Sequence, residues 1–154
     1  MRLPHLLLLL PLLTACGPTV VYEDSHPLPD TGWAYADSAR FAFAIPDTTI
    51  NYDYVLTLEH SPEFAYQNFY VRFHTGYPSG VRKTEEVSLQ LAGDFGVWHG
   101  ECSGTSCELE IPILRNARFA AAGDYVLTVE QFSRENPLTG VAAVGLRVEE
   151  TAAP

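Results

Sequence analysis

Seven short runs of this 154-residue chain alternate apolar and small or polar residues with a period of two. Phe41, Phe43 and Ile45 alternate with alanines, Tyr54, Leu56 and Leu58 with Val55 and Thr57, and Phe69, Val71 and Phe73 with Tyr70 and Arg72. The pattern returns at Val87-Leu89-Leu91, Leu109-Ile111-Ile113, Tyr125-Leu127-Val129 and Val144-Leu146-Val148. Successive side chains of a strand point to opposite faces, so each run reads as a strand with one packed and one wet face. An eighth strand is expected at Val97 and Trp98, leading into Cys102. Turn-forming pairs separate the runs, among them Pro46-Asp47, Ser61-Pro62, Gly93-Asp94 and Gly123-Asp124. No segment carries an apolar stripe of helical period, and residues 116–122 are expected to make at most one helical turn. The expectation is all-β: a single antiparallel β-sandwich over residues 33–150, jelly-roll-like, with about eight strands.

The amino terminus is of another kind. Arg2 precedes an apolar run, Leu6–Leu13, and the chain then reads Leu13-Thr14-Ala15-Cys16. A spanning helix needs about 20 apolar residues, so this run is too short to be one. Charge, apolar run and small residues make residues 1–15 a signal peptide. The last four residues resemble the lipobox of bacterial lipoproteins, which implies cleavage before Cys16 and acylation of that cysteine. More than one acyl chain anchors a protein stably. The protein is therefore expected in the cell envelope, lipid-anchored at the outer membrane. Residues 16–32 hold Gly17-Pro18, Pro27, Pro29 and Asp30-Thr31-Gly32 and read as the lipidated cysteine with an extended tether. Residues 151–154 are expected to be a disordered tail.

Removing fifteen residues leaves 139, enough for one domain. The loss of Arg2 takes the net charge from −10 to −11. So acidic a chain does not suit nucleic acid, whose phosphates call for a basic patch. With Cys16 acylated, Cys102 and Cys107 remain, separated by Ser-Gly-Thr-Ser. An oxidising compartment favours a disulfide between them across a tight turn. A metal site would need further ligands, and a thioredoxin-like redox pair has a spacing of two, not four.

No catalytic constellation emerges. His26, His60, His74 and His99 have no metal-ligand spacing and read as solvated surface residues. The serines lack a Gly-x-Ser-x-Gly setting, and Gly93, Gly96 and Gly100 form no phosphate loop. Asp47, Asp53, Asp94 and Asp124 fall in or beside turns, where aspartate side chains cap the backbone. No cofactor is implied, and the chain is not expected to be an enzyme. Aromatic residues are the sharper candidates, because exposed rings anchor partners or stack on sugars. Trp33, Tyr35, Tyr70 and Tyr77 form the candidate binding surface, while Trp98 is assigned to the core. For Trp33 a second role, sealing the sandwich edge, stands beside the first.

Three further segments bear on family. They are Tyr66-Gln67-Asn68-Phe69-Tyr70, the run Leu91-Ala92-Gly93-Asp94-Phe95-Gly96-Val97-Trp98-His99-Gly100, and Leu138-Thr139-Gly140-Val141 followed by Val144-Gly145-Leu146. With the lipobox, their order resembles the GldH family of gliding-motility lipoproteins of the Bacteroidota, over about residues 16–150. The resemblance implies a non-catalytic envelope lipoprotein that works with other gliding and adhesin-secretion proteins. It supplies no catalytic residues. Cys102 and Cys107 depart from the family pattern, as does the segment 131–135. A rival expectation is a jelly-roll module that binds glycans.

Overall fold

The computed structural model describes residues 17–152; residues 1–15, read as a signal peptide, and Cys16 lie outside them. The alternating runs become strands β2 (Ala39–Ile45), β3 (Tyr52–His60), β4 (Asn68–Gly76), β5 (Arg82–Gln90), β7 (Ser106–Ala117), β8 (Gly123–Gln131) and β9 (Val141–Glu150). Two more complete the set: β1 (Val20–Pro27) and the short β6 (Glu101–Ser103). They form two antiparallel sheets, in the orders β1-β9-β3-β7-β6 and β2-β8-β4-β5. Only β4–β5 and β6–β7 are hairpins; every other connection crosses between sheets. With β6 set aside, four strands face four, the double-sheet wrapping of a jelly roll.

The predicted inward residues make the core. Phe41, Ile45, Leu56, Leu58, Val71, Leu127, Val129 and Leu146 are all buried between the sheets. Each such side chain contributes about 1.5–3 kcal/mol relative to exposure. At the end of the sandwich where β1 begins, the filling is aromatic. Phe43 stacks on Tyr125 at 6.2 Å and meets Tyr54 edge-on at 5.3 Å, while Phe119 packs on Tyr54 and Tyr125.

The supposed tether is shorter than expected. Val20–Pro27 is a strand that pairs with β9 from Val20↔Glu149 to Pro27↔Ala143. Its alternation is hidden by a register shift between Val20 and Tyr22, and Glu23, Asp24 and Ser25 are exposed along a sheet edge. Val21 and Tyr22 pack on the core, Tyr22 with its ring 5.6 Å from Phe43. Gly145 of β9 permits the close fit: a Cβ there would collide with Thr57 Oγ1 and stand 3.1 Å from the Asp24 carbonyl oxygen.

Residues 116–122, expected to make at most one helical turn, make none. Asn116 leaves β7 at φ 51°, and the link is held by Arg118 donating to the Thr48 carbonyl and by Tyr125 donating to Ala121. Val97 and Trp98 are not in a strand. Trp98 forms an isolated bridge with Ala92, and Val97 is exposed. Thr151, placed by sequence in a carboxyl-terminal tail, is hydrogen-bonded to Asn51 and Asp53, and residues 153–154 lie outside the described residues.

Candidate functional site

At the opposite end from the start of β1, the links β1–β2, β3–β4 and β8–β9 converge. Gln131, the last residue of β8, organises them. It is fully buried, a position that a polar side chain occupies at a cost unless its groups are paired. Its Nε2 donates to the Trp33 carbonyl at 3.2 Å and the Glu135 carbonyl at 3.0 Å. Its Oε1 accepts from the Ser133 amide at 2.8 Å and the Ser133 hydroxyl at 2.7 Å. Trp33 is locked on the other side. It is fully buried, pairs with Leu138 as an isolated bridge, and donates its ring N–H to the Asp37 carbonyl at 2.8 Å.

This scaffold spreads a groove of about 740 Å³ across the end of the sandwich and the adjoining outer face of β4. Its apolar surface is four exposed rings: Tyr35 (41% exposed), Tyr66 (38%), Tyr70 (51%) and Phe132 (38%). Tyr35 donates its hydroxyl to the Ser133 carbonyl at 2.7 Å, and its amide to Asn136 Oδ1 at 3.0 Å. The Phe132 amide donates to the Tyr70 carbonyl at 2.7 Å. The Arg72 guanidinium lies 3.5 Å over the Phe132 ring and pairs with Glu86 at 2.9 Å. A hydrogen bond to Glu135 raises the Tyr66 pKa above the usual phenol range. Asn68 Nδ2 is engaged by Ser88 Oγ at 2.9 Å. Most polar groups of the groove are therefore bonded within the protein. What faces outward is ring surface, with Arg134 exposed on the rim.

The candidate surface read from sequence thus divides. Tyr35 and Tyr70 lie in the groove. Trp33 does not reach the surface: it seals the end of the sandwich beneath the groove, because its partner Leu138 and the carbonyl-binding Gln131 are brought to it by the fold. Tyr77 belongs to the far end, half-buried, its ring 5.7 Å from Tyr125. Tyr66 and Phe132 were missed. Both sit outside the alternating runs, and only an aromatic residue beside a turn signal marked them.

The remaining candidates have structural roles. His60 is buried rather than solvated, since it occupies an inward position of β3; its ring packs edge-on to Trp98 at 4.6 Å. Trp98 is half-buried against the core and donates to the Pro62 carbonyl at 3.2 Å. Asp47 caps its turn by accepting from the Thr49 amide at 2.7 Å, and Asp53 accepts from the Asn116 amide at 2.6 Å. Cys102 and Cys107 form a disulfide across the β6–β7 hairpin. Among the described residues no helix is long and apolar enough to cross a membrane, and no three His, Cys, Asp or Glu residues cluster as metal ligands.

Comparison with known proteins bears on family. Two curated relatives match nearly end to end. The gliding motility lipoprotein GldH homolog of Christiangramia forsetii is 22% identical, over 91% of this chain and 90% of the relative. The gliding motility lipoprotein GldH of Flavobacterium johnsoniae is 24% identical, over 94% of each. A solved structure, "Xyl-CBM35 in complex with glucuronic acid containing disaccharide", aligns over 92% of this chain and 98% of its own. Its identity is 14% and its TM-score 0.32, too loose a likeness to carry an argument about ligands. Residues 20–148, from the first strand to the last, match the GldH lipoprotein family, and the chain belongs to it.

Proposed function

We propose that this protein is a non-catalytic binding module, held at the outer membrane through acylated Cys16, that docks another envelope protein of the gliding and adhesin-secretion machinery. The observation that carries this reading is the groove of Tyr35, Tyr66, Tyr70 and Phe132. Aromatic anchors dominate protein interfaces, particularly where polar neighbours need no further partners. A sugar offers a hydroxyl on nearly every carbon and needs many free donors and acceptors. Here Asn68, Arg72, Tyr35 and Ser133 are already engaged. A polypeptide segment fits such a surface better. Tethering raises the local concentration of the module, so modest affinity suffices.

The test is genetic and biochemical together. Deleting the gene in a gliding host should abolish colony spreading and adhesin display. Complementation with a Tyr70→Ala, Phe132→Ala variant should fail although the variant accumulates normally. Full spreading by that variant would sink the proposal. The glycan reading keeps one supporting observation, the exposed ring faces. A soluble form of residues 17–154 that binds on a glycan array, and loses binding with Tyr70→Ala, would replace the first reading with this one.

A further inference from the structure

The two ends of the sandwich differ in their relation to the lipid anchor. β1 starts at Val20, only four residues after Cys16. Four extended residues reach at most about 14 Å. Val20 pairs with Glu149, and Glu150 pairs with Tyr52 at the start of β3. The start of β1 therefore shares its end of the molecule with the β2–β3 link, residues 46–51, and with the β4–β5 turn, residues 77–81. The groove lies at the other end, beyond the top of β1, and eight strand residues cover about 26 Å.

We propose that the acylated protein stands end-on, with the β4–β5 turn resting in the headgroup layer of the bilayer that holds Cys16, and with the groove facing away from it. The inference rests on the lipid anchor of the preceding section. The occupant follows from the length of the leash, which holds this end within about 14 Å of the bilayer that carries the lipidated residue. The chemistry of the turn agrees. Val81 is 60% exposed, Pro78 of the same turn is exposed as well, and Arg82 and Lys83 follow, both exposed. An apolar tip beside cations suits the boundary between acyl chains and phosphates. Lys83 is paired with Glu85 at 2.9 Å, so Arg82 is the cation of this turn that meets the headgroups. The groove then meets partners that reach toward the membrane from beyond it.

Hydrogen exchange on the lipidated full chain tests this. The protein would be reconstituted into phosphatidylethanolamine–phosphatidylglycerol vesicles and compared with unlipidated Cys16→Ser protein in solution. Amides of residues 77–83 and 46–51 should exchange about threefold more slowly on vesicles, while residues 66–70 and 131–136 are unchanged. Val81→Asp should remove the protection at 77–83 and leave vesicle flotation intact. Protection of the groove segments instead, or equal exchange at both ends, overturns the orientation alone. A wild-type protein that fails to float with vesicles overturns the anchor, and the orientation with it.

Discussion

Gln131 Nε2 lies 3.2 Å from the carbonyl oxygen of Trp33, and this hydrogen bond joins the last residue of β8 to the link that follows β1. Two partners in the 131–135 segment complete the arrangement. Replacing Gln131 with Leu keeps volume and removes every one of these bonds. The Ser133 amide would be left without its partner in a poorly hydrated site, and the Trp33 carbonyl would keep only the Leu138 amide, at 2.9 Å. Stability should fall by about 2–3 kcal/mol, measured as a shift of the urea midpoint at constant slope. Because Tyr35 and Phe132 ride on the same two links, binding by the groove should weaken in parallel.

Trp33 and Tyr70 should separate stability from binding. Trp33→Ala empties a fully buried site and should cost about 3–5 kcal/mol. Tyr70→Ala removes a half-exposed ring and should change stability by no more than about 0.5 kcal/mol. The same change should weaken the partner complex by about tenfold or more. Paired urea titrations and binding isotherms check both. A stable Trp33→Ala protein would show that the ring is not part of the core.

Tyr54 should behave oppositely to a useful hydroxyl. Its ring is buried and stacked near Phe119, yet its hydroxyl has no hydrogen-bond partner among the described residues, and burial pushes its pKa well above the phenol range. Tyr54→Phe keeps the packing and removes the unpaired group. It should raise stability by about 1 kcal/mol. Calorimetry of the two proteins decides, and a loss would mean that the hydroxyl is satisfied in solution.

The ladder Glu110–Arg147–Glu149 on the outer face of the five-stranded sheet should give a small acid dependence. Arg147 donates to both oxygens of Glu110, at 2.6 and 3.2 Å, and to Glu149 at 2.9 Å. The hydrogen bond from Arg147 holds the Glu110 pKa below its ordinary value. A carboxyl depressed in the folded state adds stability above its unfolded pKa, and that stability is lost as pH falls through the folded value. Glu110 is half-exposed, so the pair is worth less than about 1 kcal/mol. Glu110→Gln should therefore lower stability slightly at pH 7 and flatten the decline below pH 5. Equal slopes for the two proteins would contradict this.

Much of the fold was legible because burial on one face writes itself into every second residue. Phe41-Phe43-Ile45 and Tyr125-Leu127-Val129 could hardly be read otherwise. β1 was not legible, because an edge strand buries little, its bulge breaks the period, and Glu23, Asp24 and Pro27 have the composition of a linker. His60 was misjudged because its inward register outweighs its polarity. For the groove, Tyr35 and Tyr70 could be picked out as rings that do not fit the inward set. The burial of Trp33 depends on Gln131 and Leu138, about a hundred residues along the chain, and Tyr66 is held by Glu135, also distant in sequence, contacts that no local pattern records.

The pairing of β1 also has a mechanical meaning. Any load entering through the amino terminus is directed along the axis of this strand. Its rungs to β9 lie perpendicular to that axis, from Tyr22↔Val148 to Pro27↔Ala143. A lengthwise pull strains them all at once in shear, whereas a pull at right angles would peel them one after another. A protein tied to the membrane at one end and to a moving partner at the other would thus take tension in its stronger direction.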